Sequence, residues 1–567
     1  MRPLDWLVLF GALALFVAYG VWRGRGSRDL QGYLLAGRSF SWPGVALSVM
    51  ATQASAITFL STPGQAYVDG MRFVQFYFGL PLAMVVLCVT AIPIYHRLGV
   101  FTAYEYLERR FDAKTRTLAS GLFLIQRGLA AGLTLYAPAL VLAVVLGWDV
   151  RVMCALLGGL AVVYTTSGGN KAVSHAHVLM FSIIMATMVV AFGLILAALP
   201  AGIGPIDALR IGGALGRLHA VNPTFDPNDR YTLWSGLLGG FFLQLSYFGT
   251  DQSQVARYLT GQSIAQSRLG LLFNGLAKVP MQFFILLLGV MVFVFYQFNP
   301  PPMFFNPTLE ARRVELARGD HAWDALDTRY QSALAGRADE AQALVGARAA
   351  GDAVAADRAA RALAGSRVEI ATVRKEAAER VAAATPGMPT SDTNYIFLHF
   401  VLHQLPIGLV GLVLAAIFAA SMNSSSSELN ALASTTVVDV YKRVHRGDTA
   451  RHDVFVSRLA TVGWTVFAVA FADFASRLGS LIEAVNILGS LFYGTILGIF
   501  LTAFYLKRVG GTAVFTAALV AEAAVIVCVR FTKISFLWYN LLGCAIVMIV
   551  ALALSAVLPR REAPAAA

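Results

Sequence analysis

The sequence predicts an all-α integral membrane protein with many membrane-spanning helices. Hydrophobic residues make up 57% of the 567 residues, and charged residues make up only 13%. Soluble domains carry roughly 25% charged residues, about twice that share. Apolar segments long enough to cross a bilayer, about 20 residues each, recur along the chain. Charged residues collect mainly in the connections between these segments and in one long insertion.

Thirteen apolar segments are predicted to span the membrane. The first, Leu4 to Trp22, is followed rather than preceded by arginines, so we interpret it as an uncleaved helix and not as a signal peptide. The other twelve are about 42–66, 71–95, 117–147, 150–168, 177–199, 232–255, 270–297, 406–441, 454–475, 480–506, 511–530 and 534–558.

The distribution of Lys and Arg predicts that the N-terminus lies outside. Counted from there, the outer connections 67–70 and 476–479 are poor in basic residues, as the positive-inside rule requires. The inner connections are rich in them: 23–41, 96–116, 442–453 and the tail with Arg560 and Arg561. This bias accounts for the net charge of +12, so no nucleic acid partner is expected. The predicted location is the plasma (inner) membrane, with several passes through the lipid bilayer.

One long insertion, 298–405, lies on the outside in this topology. It opens with the helix-forbidding stretch Asn299–Pro307 and continues to about Ala384 with mostly good helix formers. A break near Ala350-Gly351-Asp352 predicts a soluble helical hairpin whose charges face solvent. The stretch Thr393–Leu405 predicts a short amphipathic helix at the outer surface.

Two spans, 42–66 and 232–255, are interrupted by polar residues. Because they are the second and seventh spans, an odd number of helices separates them, and the two halves would have inverted orientation. Matching broken helices in two five-helix repeats are typical of transporters with a site at the midplane. The alternative is two ordinary kinked helices. The interrupting residues are Thr52, Gln53, Ser55 and Thr58 in the first span, and Gln244, Ser246, Tyr247, Gly249, Thr250 and Asp251 in the second.

The span that contains Leu414–Tyr441 turns polar at the run from Asn423 to Ser427. Such side chains cannot all face lipid, because unpaired polar groups in hydrocarbon cost too much free energy. Hydroxyl and amide oxygens packed together suit a small hard cation. The alternative is that the serines only donate hydrogen bonds to carbonyls one turn earlier.

These stretches resemble the sodium:solute symporter family, which contains sugar, proline, sialic acid, monocarboxylate and vitamin carriers. The resemblance covers nearly all of the chain apart from the insertion. It is carried by Ala51–Thr58, Tyr136–Ala139, Gly168–Val173, Tyr247–Tyr258 and Asn423–Tyr441.

The resemblance implies a leucine-transporter-like fold with a leading helix, two inverted five-helix repeats and two trailing helices, thirteen in all. The implied units are the leading helix and its loop (1–41), the first repeat (42–199), an outer loop (200–231), the second repeat with its insertion (232–506), and the trailing helices with a short tail (507–567).

The resemblance also implies a sodium ion between the first and eighth core helices, held by carbonyl and hydroxyl oxygens. Asn423 stands where the family usually has Ser, and its amide still offers a carbonyl oxygen, so the site is expected to be larger and weaker. By motif, the ligand positions are Ala51, Ala54, Ala420, Asn423 and Ser424.

A second sodium site is expected to be absent. Some family members use an Asp at the position of His177, and an imidazole does not replace a carboxylate as a sodium ligand. This expectation holds even though Ser426 and Ser427 match the hydroxyl partners of that site. We expect His177 to face cytoplasmic water, the alternative being that it senses or carries protons together with His175.

The substrate is expected where the two broken helices meet. Tyr247 resembles the family's inner-gate aromatic, which closes the site from the cytoplasm, and Gln75 is a less certain candidate. The candidates are Gln53, Ser55, Thr58, Phe73, Tyr77, Gln244 and Tyr247, together with Arg127.

Arg127 is the most informative of these residues, because it lies deep in the apolar stretch Leu124–Ala131. A planar carboxylate is the best partner for a guanidinium. Sialic acid carriers of the family resemble this chain in having an Arg here and in the stretch Ser55–Thr58. A small organic anion, a sialic-acid-like sugar acid or a monocarboxylate, is therefore the favoured substrate. The alternative is that Arg127 pairs with an internal acid or with carbonyls.

Two other functions compete with this interpretation. The same machinery would serve a neutral sugar or an amino acid, since no acidic pair is obvious in the site and Asp251 is interpreted as structural or gating. A sodium and ligand sensor would need a signalling domain, for which the tail after Pro559 is short. An enzyme is not expected, because no nucleophile–base constellation, metal spacing or phosphate loop is found.

Overall fold

The structure is a computed structural model that describes residues 1–24, 38–318, 320–445, 449–475 and 478–558. Within these ranges, nine helical segments are long and apolar enough to cross a membrane, and Pro3–Phe16 and Val150–Thr166 are shorter apolar helices. Several basic residues used in the orientation argument lie outside the described residues: Arg25, Arg28, Arg446, Arg560 and Arg561.

In the part of the first half that the structure describes, the chain forms nine α-helices and the 3₁₀ segment that follows. The 3₁₀ segment, Gly70–Tyr77, precedes α4. The helices are α1 (Pro3–Gly24), α2 (Trp42–Gln53), α3 (Ala56–Asp69), α4 (Leu80–Val89), α5 (Ala91–Leu98), α6 (Tyr104–Arg110), α7 (Ala113–Leu146), α8 (Val150–Ala197) and α9 (Pro205–Ala214).

The described residues of the second half add fourteen α-helices and three short segments: Ser235–Gly239 and Thr436–Tyr441, which are π-helical, and the 3₁₀ turn Thr393–Tyr395. The helices are α10 (Gly240–Gly249), α11 (Gln252–Tyr258), α12 (Ile264–Phe298), α13 (Pro307–Leu316), α14 (His321–Leu334), α15 (Arg337–Ala349), α16 (Ala353–Ala384), α17 (Ile396–Gln404), α18 (Leu409–Thr435), α19 (Lys442–Val444), α20 (Ala450–Ala475), α21 (Leu481–Tyr505), α22 (Gly511–Phe531) and α23 (Leu537–Val557).

Helix α18, which carries the polar run, lies at the centre of the bundle. Of its most apolar stretch 89% is buried, against 22% for α20, which faces outward. It packs against α1, α7, α8 and α20. The polar run is therefore enclosed by protein rather than by lipid, which is the condition under which polar groups are tolerated at membrane depth.

Both predicted helix interruptions are present. Helix α2 ends at Gln53, and α3 begins at Ala56 after Ala54, which leaves helical geometry with ψ of 69°. Helix α10 ends at Gly249, and α11 begins at Gln252 after Asp251, whose carboxylate accepts a hydrogen bond from the Ser253 backbone N–H at 2.9 Å. The alternative of two merely kinked helices is wrong, because each break leaves two residues outside the helices.

Helix α8 corrects one prediction. It is continuous over 48 residues, through both predicted spans 150–168 and 177–199, without the expected break near Gly168-Gly169. At 1.5 Å per residue it is about 72 Å long, more than twice the ~30 Å hydrocarbon core. Glycine lowers helix propensity by about 1 kcal/mol but does not forbid the helix, so the pair alone could not specify a break.

The insertion is also more elaborate than the predicted hairpin. The break at Ala350-Gly351-Asp352 is present: Gly351 has a φ of +74°, and Asp352 caps α16 through the Ala355 N–H. The first arm, however, consists of α13, α14 and α15, all of which pack against α16. Apolar residues of α13, α14 and the second half of α16 build a core of their own around Trp323, Tyr330 and Val373, which a two-helix hairpin could not enclose.

Helix α17 and the turn before it, Thr393–Tyr395, lie against α3 rather than on the surface alone. The apolar residues of α17 are buried against the bundle. Gly64 of α3 allows this approach, because a Cβ at this position would collide with the carbonyl oxygen of Thr393. The insertion is thereby fixed to the outer half of the first broken helix.

We predict that Gly64→Ala destabilises the protein by about 1–3 kcal/mol, because the added methyl group forces the turn at Thr393 away from α3. Thermal unfolding of the purified protein measures the effect. The matched control is Gly193→Ala, where a Cβ meets open space and the helix gains propensity. Equal melting temperatures for the two variants would contradict this packing.

Candidate functional site

A cavity of about 100 Å³ lies between the two broken helices. The break of α2 and α3 forms one wall and α10 the opposite one, while α7, α12, α18 and α21 complete the enclosure. The lining residues are Thr52, Gln53, Ser55, Ile57, Thr58, Phe76, Tyr77, Gln126, Arg127, Thr134, Leu243, Gln244, Tyr247, Lys278, Ser424, Glu428, Ile482, Val485, Asn486 and Tyr493.

All but one of the predicted substrate-site residues line this cavity. The exception is Phe73, which is fully buried and stacks on Phe76, with 5.5 Å between ring centroids. The segment Gly70–Tyr77 is a 3₁₀ helix, in which side chains three apart are eclipsed, so Phe73 lies behind Phe76 and Phe76 faces the cavity in its place. Gln75 points away as well, and its amide donates to the Tyr231 carbonyl at 2.9 Å.

Arg127 pairs with two carboxylates inside the protein. Its guanidinium forms ion pairs with Asp251 and with Glu428, the latter at 3.1 Å, and donates to the Tyr493 hydroxyl at 2.6 Å. The Tyr493 hydroxyl in turn donates to Asp251 at 2.9 Å. The alternative in which Arg127 pairs with an internal acid is therefore the one observed. Asp251 belongs to this cluster, and the site does contain an acidic pair.

Glu428 was missed by sequence reasoning, although it directly follows the serine run. Its carboxylate also accepts a hydrogen bond from the Thr134 hydroxyl at 3.3 Å. The available signal was an acidic residue within an apolar span, since such residues mark functional sites by default. The run of consecutive serines beside it favoured a site formed by hydroxyl groups instead.

Lys278 of α12 was missed as well. Its side chain is 2% exposed, and its ammonium nitrogen lies 5.7 Å from the centre of the Tyr77 ring. Neither an ion pair nor a hydrogen bond joins it to any residue within the described ranges. One turn earlier, Asn274 accepts a hydrogen bond from Gln53 at 2.8 Å. Lys278 therefore brings a basic side chain to the cavity without a carboxylate partner. The signal in the sequence was a lysine within an apolar helix, because such residues mark functional sites.

The predicted sodium ligands lie at the contact between α2 and α18. All are almost fully buried: Ala51, Ala54, Ala420, Asn423 and Ser424. The Ser424 hydroxyl donates to the Thr52 carbonyl at 3.0 Å and joins the two helices at the break. The carbonyl oxygens of Ala51 and Ala54 accept no hydrogen bond from the residues that the structure describes.

The side chains of the serine run divide into two groups. Ser426 and Ser427 donate to the Asn423 carbonyl at 3.1 and 2.8 Å, as the alternative of bonds within the helix predicts. The Asn423 amide is different, because neither its oxygen nor its nitrogen has a hydrogen-bond partner although both are buried. A buried amide oxygen and two free backbone carbonyls are oxygen ligands of the kind that suits a sodium ion.

His177 does not face cytoplasmic water, contrary to the prediction. It is fully buried and faces the backbone of Ser48 and Asn423, and neither ring nitrogen makes a hydrogen bond. The uninterrupted course of α8 carries this residue away from the membrane surface and against α2 and α18. The side chain of His175 lies outside the described residues.

The family model of the sodium:solute symporter family matches residues 33–315 and 370–521. The chain belongs to this family. The unmatched stretch 316–369 falls within the insertion, and the stretches 1–32 and 522–567 at the two ends also lie outside the match. This symporter is therefore a membrane protein that couples the transport of a solute to that of sodium, and its relatives are transporters.

Three proteins illustrate what this symporter is similar to. It is 27% identical to human sodium-coupled monocarboxylate transporter 1 over 502 residues, which are 88% of this chain and 68% of that one. It is 24% identical to the sodium/sialic acid symporter SiaT of Proteus mirabilis over 564 residues, 96% and 93% of the two chains.

A solved structure, the substrate-bound outward-open state of a Na⁺-coupled sialic acid symporter, matches with a TM-score of 0.74 and 22% identity. The match covers 99% of this chain and 100% of that chain. This likeness shows the all-helical, leucine-transporter-like fold.

We predict that Arg127→Leu destabilises the symporter by about 3–5 kcal/mol, because Asp251 and Glu428 are then buried without a counter-charge. The control is Arg151→Leu, which breaks the ion pair between Arg151 and Asp473. The Arg151 side chain is 72% exposed, so this change is expected to destabilise the protein by at most about 1 kcal/mol. Thermal unfolding compares the two variants, and a smaller loss at Arg127 than at Arg151 would contradict the cluster's structural role.

Proposed function

We propose that this symporter carries a short monocarboxylate together with sodium, and that the substrate carboxylate binds Lys278. The observation that carries this proposal is the buried ammonium of Lys278, which lines the cavity and has no carboxylate partner among the described residues. A buried charge without a partner is costly, so a bound anion would relieve it. Tyr77 provides the adjacent wall for the rest of the substrate.

Arg127 takes a different role from the one that the sequence suggested. Its guanidinium already binds Asp251 and Glu428, so the substrate carboxylate is left to Lys278. A carboxylate that binds Lys278 adds a negative charge to the cavity, and a sodium ion at the adjoining site offsets it. We infer that this charge balance makes the two ligands bind together, and one sodium with one monovalent anion would move no net charge.

The size of the cavity supports the choice of a short substrate. Its volume of about 100 Å³ is below the roughly 150 Å³ of an engineered apolar cavity that holds benzene. A small monocarboxylate fits such a space, and a sialic-acid-like sugar acid would need a more open conformation. Monocarboxylate and sialic acid carriers are both among the relatives by name.

The proposed sodium site is formed by the carbonyl oxygens of Ala51, Ala54 and Ala420 and by the side chains of Asn423 and Ser424. Support comes from the free carbonyls at the break of α2 and from the unpartnered amide of Asn423. Sodium bound there would bridge α2 and α18 and shape the adjoining cavity, which Ser424 also lines. We propose no second sodium site, because His177 occupies the position of the usual carboxylate.

Alternating access would depend on Tyr247 at the cytoplasmic side of the cavity. Its hydroxyl accepts a hydrogen bond from Gln254 of α11 at 2.7 Å, and its ring lies 5.5 Å from the Arg127 guanidinium carbon. Release of the ligands would require this ring to move while the two broken helices rock. Both halves of the second broken helix are thus connected to the gate.

We further propose a location in the plasma (inner) membrane, with the N-terminus outside and thirteen apolar membrane segments, two of which lie within α8. The Lys and Arg bias of the connections supports this orientation. The repeats 42–199 and 232–506, with the leading segment 1–41 and the trailing segment 507–567, are the corresponding units, and the insertion lies outside.

Lys278→Gln is predicted to raise the KM for a monocarboxylate such as lactate roughly tenfold to a hundredfold, because a charge-assisted hydrogen bond is lost. Initial rates of sodium-driven lactate uptake into proteoliposomes measure it. Lys375→Gln, on the exposed face of the insertion, is the matched control and keeps the wild-type KM. An unchanged KM in Lys278→Gln, with sodium binding intact, would exclude Lys278 as the carboxylate site.

Ser424→Ala is predicted to raise the sodium concentration for half-maximal uptake about tenfold, because one oxygen ligand is removed. Ser434→Ala is the control, since the Ser434 hydroxyl donates only to the Ala431 carbonyl of its own helix. Uptake measured against sodium concentration distinguishes them. Wild-type sodium dependence in Ser424→Ala would mean that the ion binds elsewhere.

A further inference from the structure

Helix α17 presents two histidines, His399 and His403, on the same face and one turn apart. Their ring centroids are 4.2 Å apart, and the ring planes differ by 23°. His399 is half-buried and His403 is exposed. The pair lies outside the candidate membrane spans, on the side of the insertion, and takes no part in the transport site described above.

Both rings use the Nδ1 atom for hydrogen bonds within the protein. The Nδ1–H of His403 donates to the His399 carbonyl at 2.9 Å, and Nδ1 of His399 is 2.8 Å from the Tyr296 hydroxyl. Neither Nε2 atom has a hydrogen-bond partner in the ranges that the structure describes. Metal-binding histidines show this arrangement, in which one ring nitrogen is held by the protein and the other binds the ion.

The protonation state of His399 also suits a ligand. Burial and the neighbouring His403 lower the pKa of His399 to about 4, so this imidazole is neutral at physiological pH. A neutral imidazole binds a metal ion without first losing a proton.

We propose that His399 and His403 bind one divalent transition-metal ion, such as Zn²⁺, Ni²⁺ or Cu²⁺, through their Nε2 atoms. These ions favour imidazole ligands, whereas Mg²⁺ and Ca²⁺ favour oxygen. The spacing of four residues places both rings on the same face of α17, and zinc binds an imidazole nitrogen at about 2.0–2.1 Å. No cluster of three or more His, Cys, Asp or Glu side chains suited to a metal occurs among the described residues, so water completes the coordination.

A metal at this position would stabilise α17 itself, because both ligands belong to that helix. His399 contacts Phe305 at 5.4 Å between ring centroids, and Phe305 contacts both Tyr296 of α12 and Tyr67 of α3. An ion shared by His399 and His403 joins two successive turns of α17 and binds only when that helix is formed, so its binding stabilises the folded protein.

The experiment measures Zn²⁺ binding to the full-length purified protein in detergent, by competition with a zinc-responsive indicator. The wild type is expected to bind Zn²⁺ roughly 100-fold more tightly at this site than His403→Ala, because two linked imidazoles act together. His321→Ala removes an exposed histidine of the insertion and is expected to bind as the wild type does. The melting temperature rises with Zn²⁺ in the wild type and in His321→Ala, and Mg²⁺ gives no shift.

Equal Zn²⁺ affinity in the wild type and His403→Ala would overturn the proposal. If His403→Ala unfolds at a lower temperature without metal, His403→Gln replaces it, since the longer side chain keeps the packing and offers no imidazole. The readout is binding and stability rather than uptake, so its outcome is independent of the proposed transport function.

Discussion

Arg127 of α7 is paired in the membrane interior with Asp251, at the break of the second broken helix, and with Glu428 of α18. This contact joins α7, the break of the second broken helix and α18. Removal of Arg127 leaves both carboxylates without their counter-charge, so the break after α10 and the polar end of α18 both depend on this one side chain. The cluster also has one more acid than base. Lys278 lines the same cavity without a carboxylate partner among the described residues, and the chemistry proposed for the cavity rests on these separate groups.

The two proposed ligands meet on either side of this arrangement. In this proposal, the carbonyls freed by the break of α2 and the Asn423 amide would provide oxygen for sodium, while Lys278 would provide the positive charge for a carboxylate. Thr52 connects the two regions, because its carbonyl accepts from Ser424 and its side chain lines the cavity. A ligand at one site thereby shapes the other, and reciprocal coupling of the two affinities follows by linkage.

The sequence was sufficient to predict the broken helices, because polar residues within apolar spans have few stable alternatives to a break. It was also sufficient for most of the cavity, since Gln53, Tyr77, Arg127 and Tyr247 lie where the breaks bring them. It was not sufficient for partners across the bundle: the pairing of Arg127 with Glu428 joins residues 301 positions apart. The prediction that Phe73 lines the cavity was wrong, because the 3₁₀ geometry of its segment changes which side chain faces the cavity. The prediction that His177 faces cytoplasmic water was wrong, because α8 continues through this position and buries the residue against its neighbours.

The central claim is that a carboxylate, recognised by charge, binds together with sodium. Calorimetric titration of the purified symporter with lactate and with lactamide, its uncharged isostere, tests this claim without any mutation. Lactate is expected to bind only when sodium is present. Lactamide is expected to bind at least tenfold more weakly, because it loses one charge-assisted hydrogen bond. Equal affinity for the acid and the amide, or lactate binding that is indifferent to sodium, would contradict it.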